Sequence, residues 1–164
     1  MEEEIKGSEE IELKEALTPQ AFSAGALLFQ QYANTLPIDL SFQGFATELQ
    51  TIDQQYCRST GALLLAYHQH NAVGCVALRA LDQETAELKR LFVQPDYQGQ
   101  RIGQRLLAQV IDTAQTLQYK RIQLDTLSTM ESALKLYRRF GFYEIPPYRY
   151  NPIEGAIYME KQLA

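Results

Sequence analysis

ELKRLFVQPDYQGQRIGQ, residues Glu87 to Gln104, passes from an apolar run through a short polar turn into a second apolar run of different period. Read as structure, it is a buried strand, a turn carrying Gly99 and Gly103, and the start of a helix. The first turn of a helix leaves backbone N–H groups without partners at the positive end of the helix dipole, which suits a phosphate. Gly99 and Gly103 let such a group come close to the backbone. The helix itself is strongly marked, because Ile102, Leu106, Leu107, Val110, Ile111, Ala114 and Leu117 form one apolar stripe. The unit reads as an anion-binding helix start anchored on a core.

The rest of the composition fits one domain around such a core. A chain of 164 residues with 46% hydrophobic and 21% charged residues has ordinary globular composition. Fifteen basic against twenty acidic residues leave a net charge of −5, which argues against nonspecific binding to nucleic acid or to an anionic membrane and points to small-molecule partners. Cys57 and Cys75 are the only cysteines and sit in no metal-ligand spacing, so no metal is expected. The N-terminus lacks an apolar signal segment, and no apolar run reaches the roughly 20 residues of a membrane span. A soluble protein of the cytoplasm is the expectation.

Along the chain, residues 1–10 contain five glutamates and little to bury, and read as a flexible acidic tail ahead of a single domain over 11–164. Ile11 and Leu13 alternate as in an edge strand, and Thr18-Pro19 begins a helix that runs to about Ala33. After Leu36-Pro37, the spacing of Phe42, Phe45, Ala46, Leu49 and Ile52 predicts one shorter helix. Ala62 to Tyr67 and Val73 to Leu81 form a hairpin about a polar turn, with His68 and His70 read as solvated turn residues. Glu87 to Val93 is the third strand of that meander. Arg121 to Leu127 follows the long helix as a strand parallel to it, so the sheet is mixed. Ser132 to Phe140 is a helix stopped by Gly141, and Ala156 to Lys161 a last strand.

Known phosphate motifs can be tested against the turn. A P-loop needs Lys and then Ser or Thr after its second glycine, but Gln104 and Arg105 follow Gly103; a dinucleotide fingerprint needs three glycines, and only two are here. The order strand, Gln98-Gly99-Gln100-Arg101-Ile102-Gly103-Gln104, helix does resemble the pyrophosphate loop of the GNAT superfamily of N-acetyltransferases, Q/R-x-x-G-x-G/A. Gln98 and Gly103 match, and Arg101 stands where the family usually has its middle glycine; a guanidinium there suits a pyrophosphate. A second segment, SALKLYRRFGF, is similar to the family pattern A-x-x-L-Y-x-x-x-G-F through Ala133, Leu136, Tyr137, Gly141 and Phe142. Met130 occupies the place where many relatives carry an asparagine.

The resemblance implies an α/β fold with a central mixed, mostly antiparallel sheet, a splayed parallel strand pair and flanking helices. It also implies transfer of an acetyl group from acetyl-CoA to a primary amine by direct attack in a ternary complex. By the same resemblance Gln98, Gly99, Gln100, Arg101, Ile102, Gly103 and Gln104 hold the pyrophosphate. The backbone of Leu91, Phe92 and Val93 takes the acetyl carbonyl, and Thr126 and Leu127 line the opposite side of the pantetheine arm. Tyr137 is the expected hydrogen-bond donor to the leaving sulfur, and Glu87, sixteen residues before Gly103, the candidate base beside the alternative of a water chain.

The acceptor site is expected in the stiff segment from Ile145 to Pro152, where Arg149, with Tyr148 beside it, could bind a substrate carboxylate as a two-pronged donor. A small metabolite such as an amino acid fits best. A non-catalytic acyl-CoA-binding module and a protein lysine or N-terminal acetyltransferase stay open as alternatives, and the final strands could pair across a homodimer.

Overall fold

The computed structural model describes residues 10–36 and 39–163. A seven-stranded sheet carries the fold: β1 (Ile11–Glu15), β2 (Ala62–His68), β3 (Asn71–Ala80), β4 (Thr85–Val93), β5 (Arg121–Leu127), β6 (Tyr143–Ile145) and β7 (Ala156–Gln162), in the spatial order β1-β2-β3-β4-β5-β7-β6. Every neighbouring pair is antiparallel except β4 and β5. The mixed α/β architecture expected from the sequence is therefore present.

Helices cover both faces. On one face lie α4 (Ile102–Thr116) and α5 (Glu131–Arg139), packed on Leu64, Val76, Leu88, Ile122 and Leu124. On the other, α1 (Pro19–Thr35) and the short α3 (Ile52–Gln55) pack on Leu63, Leu65, Cys75 and Ala77. Because both faces are covered, β2 reads ALLLAYH without polar alternation. In α4 the stripe read from the sequence is the buried face: Ile102, Leu106, Leu107, Val110 and Ala114 are all at most 1% exposed. Burying each of the larger ones is worth about 1.5–3 kcal/mol, which fixes the helix start rigidly beside β4. Thr18 caps α1, its hydroxyl accepting from the Ala21 N–H at 3.1 Å, with Pro19 at the first helical position. Gly141, at φ +92°, ends α5 as the sequence indicated.

Four readings need correction. The single helix expected around residues 42–52 is a 3-10 turn over Leu40–Gln43, then α2 (Phe45–Gln50), then α3, because Gly44 turns left-handed at φ +69° and Thr51 interrupts again. Glu10 is no part of a free tail: its carboxylate lies 2.6 Å from His68 Nε2, whose Nδ1 lies 2.9 Å from the Tyr97 hydroxyl, so His68 is a half-buried clasp and not a solvated turn residue. The final strand β7 is not an edge, since it runs between β5 and the three-residue β6, which was not read from the sequence. Residues 1–9, the remainder of the expected tail, and Pro37 lie outside the described residues. Among the described residues no helix is long and apolar enough to cross a membrane.

Candidate active site

The sheet opens along β4. Its parallel pairing with β5 covers only Thr85↔Arg121, Ala86↔Ile122 and Glu87↔Gln123, and from Leu88 onward the two strands diverge. On the other side a β-bulge interrupts pairing with β3: Ala77 faces Lys89 and Cys75 faces Phe92, so β4 has one residue more than its partner between those two pairs. The extra length is taken up at Arg90, which adopts φ +60°, a conformation costly for a side chain with a Cβ. Two contacts hold it. The Arg90 guanidinium meets Glu48 of α2 through Nη2–Oε1 at 2.6 Å and Nε–Oε2 at 3.0 Å, and the buried Cys75 thiol donates to the Arg90 carbonyl at 3.2 Å. Tyr56 donates its hydroxyl to the same Glu48 at 2.8 Å. Sequence reasoning assigned no role to Glu48, Cys75 or Arg90. Polar residues on an otherwise apolar strand, ELKRLF, were the only signal.

The divergence leaves a cleft between the strands, lined by Leu88, Lys89, Arg90 and Leu91 on one side and Asp125, Thr126 and Leu127 on the other. Tyr137 and Ala133 of α5, Met130 before it, Tyr32 and Leu36 of α1, Leu40, and Asn151 and Ile153 of the β6–β7 loop complete it. A second, outer groove shares Leu91 and Ala133 with the cleft and continues past Phe92, Val93, Gln98, Gly99, Arg101, Ile102, Gly103 and Gln104. One continuous track thus joins all but one of the residues expected to hold the donor. Gln100 is the exception, exposed on the turn outside the groove wall. Lys135 and Arg139 of α5 border the outer groove, two exposed cations that the motif reading passed over.

The turn from Gln98 to Gln104 holds two residues in the left-handed region. Gly99 sits at φ +83° and Arg101, the residue before α4, at φ +64°, so Arg101 holds the left-handed conformation that a glycine would take without strain. No side chain caps α4, and the first backbone donor to reach an acceptor in the helix is Arg105 N–H, on the Arg101 carbonyl at 3.1 Å. The N–H groups at the helix start therefore remain for a ligand. Gln98 braces the turn, its side-chain amide donating to the Val93 carbonyl at 3.0 Å.

Tyr137 lies on the buried face of α5 at 5% exposure, its ring 5.6 Å from that of Phe142. Its hydroxyl has no hydrogen-bond partner among the described residues. Burial, with Tyr32 and Asp125 nearby, pushes the phenol pKa far up, so it keeps its proton through the working pH range. Met130 stands before α5 where a capping side chain would be, without capping it, and receives instead the Thr126 hydroxyl at 3.7 Å.

Glu87 is fully buried and saturated with donors. Arg79 Nε donates to Oε1 at 2.8 Å, and the Tyr148 hydroxyl, at 2.7 Å, and the Arg149 guanidinium both reach Oε2. Burial alone would raise its pKa, but the charges of Lys89, Arg79 and Arg149 and the Tyr148 hydrogen bond outweigh it and hold the carboxyl below its usual range. Tyr148 and Arg149, expected from the sequence to bind the acceptor, are thus both engaged by Glu87, and neither is among the residues lining the cleft. Tyr158 fixes this loop by donating its hydroxyl to the Arg149 carbonyl at 2.8 Å.

A splayed parallel pair, a bulged strand without a partner on its β5 side beyond Glu87, and an uncapped helix start thus lie along one track. The model of the acetyltransferase (GNAT) family matches residues 29–142, and the chain belongs to that family of N-acetyltransferases. An uncharacterised N-acetyltransferase of Schizosaccharomyces pombe is 34% identical over 89% of this chain and 91% of its own length. The crystal structure of an acetyltransferase from Streptococcus agalactiae superposes with a TM-score of 0.77 at 25% identity, covering 94% of this chain and 99% of that one. A GNAT family acetyltransferase from Elizabethkingia anophelis, crystallised with acetyl-CoA bound, shares the fold at a TM-score of 0.62 and 24% identity, covering 95% of this chain and all of that one.

Proposed function

We propose that the enzyme acetylates the primary amine of a small metabolite by direct attack on acetyl-CoA in a ternary complex. The observation that carries this reading is the partnerless, fully protonated Tyr137 hydroxyl in the gap between β4 and β5, on the same track as the phosphate turn. In that reading the turn from Gln98 to Gln104 takes the pyrophosphate. Beyond Glu87, β4 has no strand partner on its β5 side and offers its backbone to the pantetheine amides. The N–H groups around Leu91 to Val93 polarise the acetyl carbonyl. As the tetrahedral intermediate collapses, the sulfur leaves as a thiolate of a thiol with pKa about 8.5, by analogy with cysteine. Tyr137, whose pKa lies well above that, serves it as a hydrogen-bond donor and not as a full acid.

An alkyl amine has a pKa near about 10 and must lose a proton before it attacks. Glu87 is a weak acceptor for it, because its pKa is lowered and both oxygens are taken. We assign Glu87 to positioning Tyr148 and Arg149, and the proton to water. A small acceptor is favoured over a protein chain because Tyr32, Leu36 and Leu40 on one side and the Asn151–Ile153 loop on the other cover the cleft.

Thiol release from acetyl-CoA, measured against amines, amino acids and lysine peptides for the wild type and Tyr137→Phe, tests this. Amine-dependent release that drops in kcat by about 100-fold in the variant, with the KM for acetyl-CoA changed less than about twofold, is the expected result. Release with peptides alone, or a variant as fast as wild type, overturns the reading.

A further inference from the structure

One side chain of the cleft has no use in the reaction just described. Lys89 lies on the same face of β4 as Glu87, is 6% exposed and lines the inner cleft, yet its ammonium makes no hydrogen bond or ion pair among the described residues. Among the described residues no fully buried side-chain nitrogen lacks a hydrogen-bond partner, so the Lys89 ammonium opens into the cleft, where a ligand can meet it. Glu87 and Glu48 act on it at longer range, but both carboxylates are bonded elsewhere. Glu48 is committed to Arg90 and Tyr56, and Glu87 alone serves both Arg79 and Arg149. The strand therefore presents excess positive charge to the cleft in a protein whose net charge is −5. Across the gap, Asp125 uses one oxygen for the Asn151 amide at 3.1 Å, while no protein donor meets its other oxygen among the described residues. The cleft thus has an unpaired cation on one wall and a half-engaged carboxylate on the other.

We propose that Lys89 is the anchor for a carboxylate on the acceptor, which makes the substrates of this site small amines bearing a carboxylate, of the amino-acid class. This rests on the reading of the enzyme as an acetyltransferase of small amines and names their chemistry. Bound carboxylate supplies the counter-ion that the fold withholds from Lys89, and Asp125 faces the ammonium end as it enters. An amine without the carboxylate displaces water from the Lys89 ammonium and offers no acceptor in return. Selectivity comes from that penalty as much as from the new contact.

The test compares kcat/KM for L-alanine with L-alaninamide, and for L-methionine with L-methioninamide, in wild type, Lys89→Met and Lys89→Arg. Methionine matches the lysine stem in length and removes only the charge, so the fold is kept. The expected result is a preference of about tenfold or more for the amino acids in wild type, falling to near unity in Lys89→Met and partly restored in Lys89→Arg. Wild-type preference for the amides, or an undiminished preference for the acids in Lys89→Met, overturns the proposal. Should no pair be turned over, calorimetric titration of L-alanine into the CoA complex decides. Binding lost in Lys89→Met upholds carboxylate recognition while the small-amine transfer reading falls, and no binding to wild type, or equal binding to both, overturns the role of Lys89.

Discussion

The Arg90 guanidinium holds Glu48 through two hydrogen bonds of 2.6 and 3.0 Å, and the pair ties the bulge of β4 to helix α2. Both side chains are buried, at 5% and 3% exposure. A buried pair of this kind does little for stability against an apolar replacement, but losing one partner strands a charge. Its place in the molecule, on the residue whose φ of +60° makes the bulge, lets it hold that backbone conformation. Glu48→Gln is therefore expected to cost about 3 kcal/mol in urea unfolding and to weaken acetyl-CoA binding through the bulge. An unfolding midpoint equal to wild type would show that Arg90 holds its conformation without Glu48.

Arg101 combines strain with charge. It occupies a left-handed backbone at the start of α4, where a Cβ costs about 1 kcal/mol, and brings a guanidinium to the phosphate turn. Arg101→Gly separates the two: stability should hold within about 1 kcal/mol, while the KM for acetyl-CoA rises several-fold. Unchanged KM would mean that the guanidinium does not reach the donor.

Acid should act on the two buried carboxylates. Burial raises the pKa of both Glu48 and Glu87, yet Arg90 at the first, and Lys89, Arg79 and Arg149 at the second, lower each below its ordinary value. The folded state then binds protons less readily than the unfolded chain, whose glutamates titrate near about 4.3. Stability from these groups is fully present above that value and is lost as pH falls through it toward the lower folded pKa. Thermal melts from neutral pH downward should show Tm falling below about pH 5, with a shallower fall in Glu87→Gln. Parallel curves for the two proteins would contradict the lowered pKa of Glu87.

The same variant separates positioning from base catalysis. If water takes the amine proton, Glu87→Gln raises the KM of the acceptor, because Tyr148 and Arg149 lose their anchor, and the rise of kcat with pH keeps its position. A kcat profile that loses its pH dependence in the variant would restore Glu87 as the base.

Lys89 makes a prediction at the alkaline end. Burial and the Arg90 charge pull its pKa down to about 8, against the pull of Glu87 and Glu48. Arg79, Arg149, Asp125, Tyr148 and Tyr32 are the other titratable groups around this part of the cleft. A simple carboxylate without an amine, such as propionate, should inhibit competitively against the acceptor, with a Ki that climbs as pH rises past about 8. In Lys89→Met the Ki should be higher and flat with pH. A wild-type Ki independent of pH from 7 to 9 would show that the charge on Lys89 is not what binds the acid.

Much of the fold was legible in short patterns. The stripe from Ile102 to Leu117, the Thr18-Pro19 helix start and the Gly141 stop each depend on neighbours within one or two helical turns, and all stand where they were read. The helix expected through residues 42–52 failed because apolar spacing alone could not show that Gly44 would turn left-handed. Strand β6 escaped because three residues carry no periodicity. For the site, the glycine turn ahead of α4 was readable because a turn is local, whereas Arg149 looked free in the sequence and proves to be paired with Glu87, sixty-two residues away.

The sequence by itself determined the order of elements, the parallel crossover from β4 to β5 and the uncapped helix start after the glycine turn, since these follow from local periodicity, turn chemistry and chain handedness. Only the tertiary structure decided which charges are spent and which are left over. Glu48 reaches Arg90 across forty-two residues, Arg79 and Arg149 converge on Glu87 from β3 and the last loop, and Lys89 is left without a hydrogen bond or ion pair among the described residues. Charge pairing depends on distance in space and on burial, which raises the cost of an unmatched charge, and neither is written in the spacing of residues along the chain.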